Sequence, residues 1–280
     1  MTWRMSVVHR TSYEYESSVV ASFNELRMTP VSNSRQMLVH HRTMVNPSTA
    51  IFTYRDYWGT TVEAFDLHTA HHVLEVVSEN VVETSGTNPE RNFFGWVDIA
   101  RPRIAEKFCE MTRHTGLTPP LPGAGPIIDS IRAQASPMDG VNLCSEWVRD
   151  HMTYTPGSTS VFTPANEAWS VGNGVCQDYS HITLSLLRSA GIPARYVSGY
   201  HHTGAGDIGE SVIVESHAWL EAWVGDWVAL DPTSGMDVGE RHVVVAYGRD
   251  YHDVSPMRGI FSGGQSRAVD VKVTMTRLAR

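Results

Sequence analysis

Apolar positions alternate through the first third of the chain. Val7, His9, Thr11, Tyr13 and Tyr15 fall on one face of an extended segment, with more polar residues between them. Residues 37–45, 51–58 and 61–67 are rich in β-branched and aromatic side chains, separated by turn signals at Asn46-Pro47-Ser48 and at Gly59. Residues 73–82 read as a further strand. The period then lengthens. Ile104, Phe108, Cys109 and Met111, and later Val141, Cys144, Trp147 and Val148, recur at helical spacing, so Cys109 and Cys144 are expected to face a core. The proline- and glycine-rich stretch 119–126 is a loop. A helical run begins near Cys176, and strand-like segments return at 194–200, 211–224, 227–230, 242–247 and 268–276.

This order predicts an α+β chain. An all-β, sandwich-like domain at 1–85 would be joined through a polar linker, Ser85 to Asn92, to a second domain at 86–280. There the helices come first and an antiparallel sheet follows. A composition of 41% hydrophobic and 19% charged residues fits a folded domain rather than a disordered chain. The net charge of −8 offers no basic surface for nucleic acid. No stretch reaches the roughly 20 apolar residues of a membrane span, and Met1 to Ser6 lacks the apolar core of a secretory signal. Three scattered cysteines, Cys109, Cys144 and Cys176, do not make a disulfide framework. A reducing cytoplasm is the expected location, and it suits a free reactive thiol.

Cys176 has the most informative surroundings. It sits in Gly172-Asn173-Gly174-Val175-Cys176-Gln177-Asp178, ahead of a buried helical face formed by Tyr179, Ile182, Leu186, Leu187 and Ala190. The glycines permit a sharp bend and Asn173 is a candidate N-cap. Gly191 fits the left-handed position after a helix, Ile192 can pack back on Leu187, and Pro193 cannot continue the turn. The helix should therefore span about 176–190, with the thiol in its first turn, where unpaired N–H groups favour negative charge.

A cysteine nucleophile needs a base, and the base needs an orienting group. His217 lies in a strand running from Ser216 to Val224, and Asp231 ends the returning strand Trp227 to Leu230. Parity decides whether they can meet. A two-residue turn at Gly225-Asp226 would pair Leu220 with Asp231 and put Asp231 on the face opposite His217. A three-residue loop, Val224 to Asp226, pairs Trp223 with Trp227 and Trp219 with Asp231, which brings Asp231 diagonal to His217 on one face. An odd loop, or a bulge of equal effect, is therefore required.

The set Gly-x-Cys-x-Asp at 174–178, Leu-Leu-Arg-Ser-Ala-Gly-Ile-Pro-Ala-Arg at 186–195, Tyr-Val-Ser-Gly-Tyr at 196–200, Ser-His-Ala-Trp at 216–219 and Leu-Asp-Pro-Thr at 230–233 resembles the transglutaminase-like superfamily of cysteine acyltransferases and proteases. The opening His9-x-Thr11-x-Tyr13-x-Tyr15 and the stretch Tyr247 to Pro256 are similar to bacterial members that carry an extra N-terminal β domain. The resemblance implies a papain-like, transglutaminase-like core of helices on an antiparallel sheet. It also implies Cys176 as nucleophile, His217 as base and Asp231 as its orienter. The reaction would be acyl transfer from a peptide or isopeptide amide through a thioester, with water as the expected acceptor; crosslinking or deamidation of protein glutamine is the alternative. The Cys176 N–H is an expected oxyanion donor, and Tyr154 and Trp219 are candidate oxyanion or substrate residues.

Other readings fit less well. The pairs His40-His41, His71-His72 and His201-His202 point to opposite faces of a strand and cannot share one ion, and His68-x-x-His71 has no cysteine nearby, so no metal is expected. No Asp-x-Asp-x-Asp-Gly loop suggests calcium, and no cofactor is implied. Gly204 to Gly209 fits Gly-x-Gly-x-x-Gly but joins two strands, which argues against nucleotide binding and for a loop near the active site. A non-catalytic peptide-binding or scaffold protein remains the competing class. The expected partner in either case is a peptide or protein.

Overall fold

The structure, a computed structural model, describes residues 2–86 and 93–279. The central part of the expected linker, residues 87–92, lies outside the described residues. Five strands come first: β1 (Thr2–Leu26), β2 (Gln36–Asn46), β3 (Phe52–Arg55), β4 (Thr61–Leu67) and β5 (His71–Ser85). Helices α1 (Trp96–Ile99), α2 (Pro102–Lys107), α3 (Gly125–Arg132) and α4 (Pro137–His151) follow. Next are β6 (Thr153–Tyr154), α5 (Ala165–Val171), β7 (Asn173–Gly174) and α6 (Cys176–Ala190). The remainder holds β8 (Ala194–His201), β9 (Ser211–Val214), β10 (Ser216–Trp223), β11 (Trp227–Leu230), β12 (His242–Gly248), α7 (Tyr251–Val254), β13 (Met257–Gly263) and β14 (Ser266–Leu278). The chain is α+β, and none of the described helices is long and apolar enough to cross a membrane.

β1 is the spine of an eight-stranded antiparallel sheet. Trp3, Met5, Val7, His9 and Thr11 alternate into the interior, as period-two patterning requires. Up to Glu14 the strand lies between β5 and β14, and from Ser22 it lies between β4 and β13. Register shifts after Glu14 mark the change of partners. The sheet curls there over a core of Tyr15, Val19, Leu26, Met28, Phe65, Leu67, Leu74 and Val76. Strands β9, β13 and β14 lie beyond residue 86, so this sheet runs across the expected boundary between 1–85 and 86–280.

The second sheet has the antiparallel order β11-β10-β8-β12. Ala218, Leu220 and Ala222 of β10 join Ile182, Leu184 and Leu187 of α6 in the main core. On the opposite face Trp219, Val197 and Val244 form a smaller cluster that Val31 helps to cover. Gln36 clamps this face to the first sheet, because its amide exchanges hydrogen bonds with the Val244 backbone, 2.8 Å in each direction.

Several local expectations need correction. Residues 211–224 are not one strand. The chain breaks at Glu215, with β9 pairing to β14 in the large sheet and β10 to β8 in the small one; strands that change sheets do so at such corners. Cys144 is fully buried, but Cys109 is exposed, because α2 ends at Lys107 and helical spacing no longer applies beyond it.

Helix α6 is buried along nearly its whole length. It ends on Gly191 at φ 89°, and the Ile192 N–H donates to the Leu187 carbonyl at 2.9 Å, the backbone closure that a left-handed glycine permits. Arg188, 3% exposed, donates to the carbonyls of Met111, Ala194 and Arg249 and to the Thr118 hydroxyl. Arg188→Met should therefore lower the free energy of unfolding by about 3 kcal/mol, since it strands buried acceptors that a charged donor now serves. Urea titration measures this, and a loss below about 1 kcal/mol would contradict the role given to Arg188.

Candidate active site

The thiol is placed by a short, well-tied segment. β6 and β7 form a two-residue parallel bridge, Thr153 to Asn173 and Tyr154 to Gly174, just before α6. That bridge takes up Asn173, so it does not cap the helix; the N-cap position belongs to Val175. Asp178 does the capping instead. Its Oδ2 accepts the Val175 N–H at 2.8 Å and the Thr159 hydroxyl at 2.6 Å. Gly174 is obligatory, because a Cβ there would stand 2.6 Å from the Asp178 side chain. Cys176 is the first helical residue and is half-buried. Its N–H belongs to the first turn, which has no intrahelical acceptors.

Parity resolves as the three-residue loop demands. Trp223 pairs with Trp227 and Leu220 with Leu230, so Asp231 follows on the His217 face. His217 Nε2 lies 2.8 Å from Asp231 Oδ2. Cys176 lies on the same cleft, close enough for its thiol to raise the His217 pKa, and with Nε2 occupied the nitrogen left for the thiol is Nδ1. Asp231 is held in turn: its Oδ1 accepts the Thr233 N–H at 3.0 Å, and its Oδ2 accepts the Ser234 hydroxyl at 2.7 Å. The structure thus pairs His217 with Asp231 and sets Cys176 beside the imidazole on one cleft.

The electrostatics follow from burial and pairing. Burial alone would lower the His217 pKa, but the hydrogen bonds to Asp231 and Cys176, together with their negative charges, outweigh it and raise it to about 10. Burial opposes ionisation of Asp231 too, yet its hydrogen bond with His217 and the neighbouring imidazoles hold it well below the usual carboxylate range. An imidazolium next to a carboxylate is the favoured state of this pair.

Two further histidines surround Asp231. His201 on β8 stands opposite His242 on β12 in the ladder, and their rings stack 4.2 Å apart. His242 Nε2 is 3.7 Å from Asp231 Oδ2, beyond hydrogen-bonding distance. Burial, followed by the nearby His242 and His217, pushes the His201 pKa down to about 3. Burial likewise lowers that of His242. Both rings are therefore neutral. Sequence reasoning missed this arrangement, since it considered only histidines within three residues of one another; His201, His217 and His242 come from three strands side by side in one sheet.

A cleft of about 610 Å³ opens onto the thiol. Cys176, His217, His201, Tyr154, Tyr196, Glu215 and Tyr251 are among the residues lining it. Tyr154 is half-exposed on the wall; burial raises its pKa, and the charges of Cys176 and Glu215 add to the effect, which marks it as a neighbour of the thiol. Trp219 belongs elsewhere. It is fully buried, packs edge-on to His242 at 5.3 Å and is absent from the cleft lining. The substrate role expected for Trp219 is corrected: the face it shares with His217 is covered there by Val197, Val238 and Val244, so the indole supports the site from behind. Gly199 makes room for it, since a Cβ at that position would meet the ring at 2.6 Å.

Fold and array together are those of a transglutaminase-like protein. Residues 127–232 match the transglutaminase-like superfamily, and residues 5–83 match the bacterial transglutaminase-like N-terminal region. An uncharacterized protein of Mycobacterium leprae is 42% identical over 278 residues, covering 99% of this chain and 100% of its own. An uncharacterized Mycobacterium tuberculosis protein is 32% identical over 295 residues, covering 97% of this chain and 92% of its own. A protein-glutamine gamma-glutamyltransferase of Pseudomonas aeruginosa shares 31% identity over 121 residues, which is 40% of this chain and 18% of that protein. Among solved structures, a proposed cysteine protease from Cytophaga hutchinsonii superposes with a TM-score of 0.74 at 17% identity, over 100% of this chain and 94% of that one. The chain belongs to the bacterial transglutaminase-like family.

Proposed function

We propose that this protein is a thiol enzyme that transfers acyl groups from peptide or isopeptide amides, with water as the principal acceptor. The observation that carries this reading is that His217, hydrogen-bonded to Asp231, lines the same open cleft as a half-buried Cys176 at a helix start. The Cys176 thiolate adds to the amide carbonyl carbon. The oxyanion is met by the Cys176 N–H, with the Tyr154 hydroxyl as the candidate second donor. His217 passes its Nδ1 proton to the leaving nitrogen, the C–N bond breaks and the amine departs, leaving a thioester. Neutral His217 then takes a proton from water, whose oxygen attacks the thioester. The carboxylic acid and the thiol are released. Asp231 stays ionised throughout and holds the Nε2–H tautomer.

Water is favoured because Cys176 remains partly exposed and the cleft is open to solvent. A primary amine is the second acceptor to consider. The exposed carboxylate of Glu215 on the cleft wall favours it, as does the sequence shared with the Pseudomonas gamma-glutamyltransferase. Products separate these outcomes: hydrolysis cleaves a peptide, deamidation adds about one mass unit to glutamine, and crosslinking joins two chains.

Limited alkylation tests the reactive thiol and, with it, the contrast to a scaffold protein. Iodoacetamide at neutral pH should modify Cys176 faster than Cys109, although Cys109 is the more exposed, and should leave Cys144 untouched. Equal rates at Cys176 and Cys109, read by peptide mass spectrometry, would remove the basis for an activated nucleophile.

A further inference from the structure

His201, His217, Asp231 and His242 each offer a ligand atom, and these atoms all lie within 4.8 Å of one another. Their strands explain the convergence. His201 and His242 form a direct cross-strand pair on β8 and β12. His217 pairs with Gly199 on the other side of β8, two residues before His201 and diagonal to it. Side chains at such positions on one sheet face are within reach of a common point.

Two of the donors have no other employment. His201 Nε2 and His242 Nε2 are buried and have no hydrogen-bond partner among the described residues. His201 is 8% exposed and His242 4% exposed. An orphaned buried nitrogen is costly, and each such group calls for a ligand or a water. Nε2 of His242 stands 3.7 Å from Asp231 Oδ2, and His201 offers a ring nitrogen within 4.8 Å of the same group.

We propose that these four residues form a binding site for a divalent transition metal of the zinc type. Three imidazoles and one carboxylate are a common donor set for such an ion, which favours four-coordinate tetrahedral geometry. Ligands on a tetrahedral ion with bonds of about 2.0–2.2 Å lie about 3.3–3.6 Å apart, so the widest donor pairs, now within 4.8 Å, must close in by roughly an ångström while the 2.8 Å His217–Asp231 pair opens. The parallel rings of His201 and His242 cannot both aim an in-plane lone pair at one ion. His201, which lines the cleft, is the ring that must turn. The cleft, lined by both His201 and His217, is the entry path. Binding releases to solvent the proton that His217 Nε2 shares with Asp231, moves the His242 proton from Nε2 to Nδ1 at the expense of the contact from the Gly239 N–H, and forms four metal–ligand bonds. Because the ion takes the base and its orienter together, it switches the thiol chemistry off; this consequence rests on the proposed function, whereas the binding does not.

The test uses zinc chloride and the full chain carrying Cys176→Ala, which removes thiolate ligation. Isothermal titration should show one ion per chain, and Co²⁺ in its place should give the intense visible bands of tetrahedral nitrogen–oxygen ligation. His201→Ala and, separately, His242→Phe on that background should weaken binding at least roughly tenfold, since even outer-shell changes cost that much, with circular dichroism confirming the fold. No binding by Cys176→Ala protein would overturn the site, because these four residues would then not hold the ion by themselves. Unchanged affinity in both histidine variants would overturn it equally. If zinc binds as described but the protein cleaves no amide, the metal site stands and the catalytic reading falls.

Discussion

Replacing Cys176 with alanine should lower kcat/KM for amide hydrolysis by at least roughly 10³-fold, because acyl transfer loses its covalent route and keeps only binding and oxyanion stabilisation. The fold should not suffer. Cys176 is half-buried at a helix terminus, and Asp178, Gly174 and Thr159 hold that terminus without the thiol. A melting temperature within a few degrees of wild type should accompany the lost turnover of a fluorogenic peptide amide. Residual activity within tenfold of wild type would assign the chemistry to another group.

Asp231→Asn should have the next largest effect, a fall of roughly 10³- to 10⁴-fold in kcat with a smaller change in KM. The asparagine can still accept the Thr233 N–H that Asp231 Oδ1 now takes, so the turn persists. It removes the charge that, with the hydrogen bond it carries, holds His217 near a pKa of about 10. The alkaline limb of the wild-type rate profile should therefore lie near pH 10, and it should move down towards 6.5, the ordinary histidine value, in the variant. The stability difference has a fixed sign as well. His217 has its pKa raised on folding, so its share of the pairing energy is complete below pH 6.5 and is lost as pH rises towards 10. Asp231 has its pKa lowered, so its share is present above 3.8 and disappears as pH falls through the depressed folded value. Wild type should thus exceed the variant most between about pH 4 and 6.5, and the gap should narrow towards pH 10 as the His217 share is lost. Urea titrations across that range give the curve, and a gap that widens towards pH 10 would contradict the pair.

Much of this site could be read from single residues and their neighbours, and the reason is locality. A glycine-rich bend before Cys176 and a glycine-proline stop after Ala190 bound α6 through backbone requirements confined to a few residues. Strand parity is local too: the loop between β10 and β11 either brings Asp231 to the His217 face or does not. The local rules failed where a distant partner intervened. Asn173 suits an N-cap, but the bridge to Thr153 uses it and Asp178 caps instead. Trp219 shares a face with His217, yet Val197, Val238 and Val244 bury it.

The sequence by itself determined the helix that seats the thiol, the order Cys176, His217, Asp231 and the alternating character of β1, because each depends on contacts within a turn or a hairpin. Only the tertiary structure decided that β13 and β14 return to β1, that the chain changes sheets at Glu215, that Cys109 faces outward and that His201 stacks on His242 beside Asp231. Those outcomes depend on which strands lie side by side. That choice is made by burial summed over the whole chain, and no spacing between neighbouring residues records it.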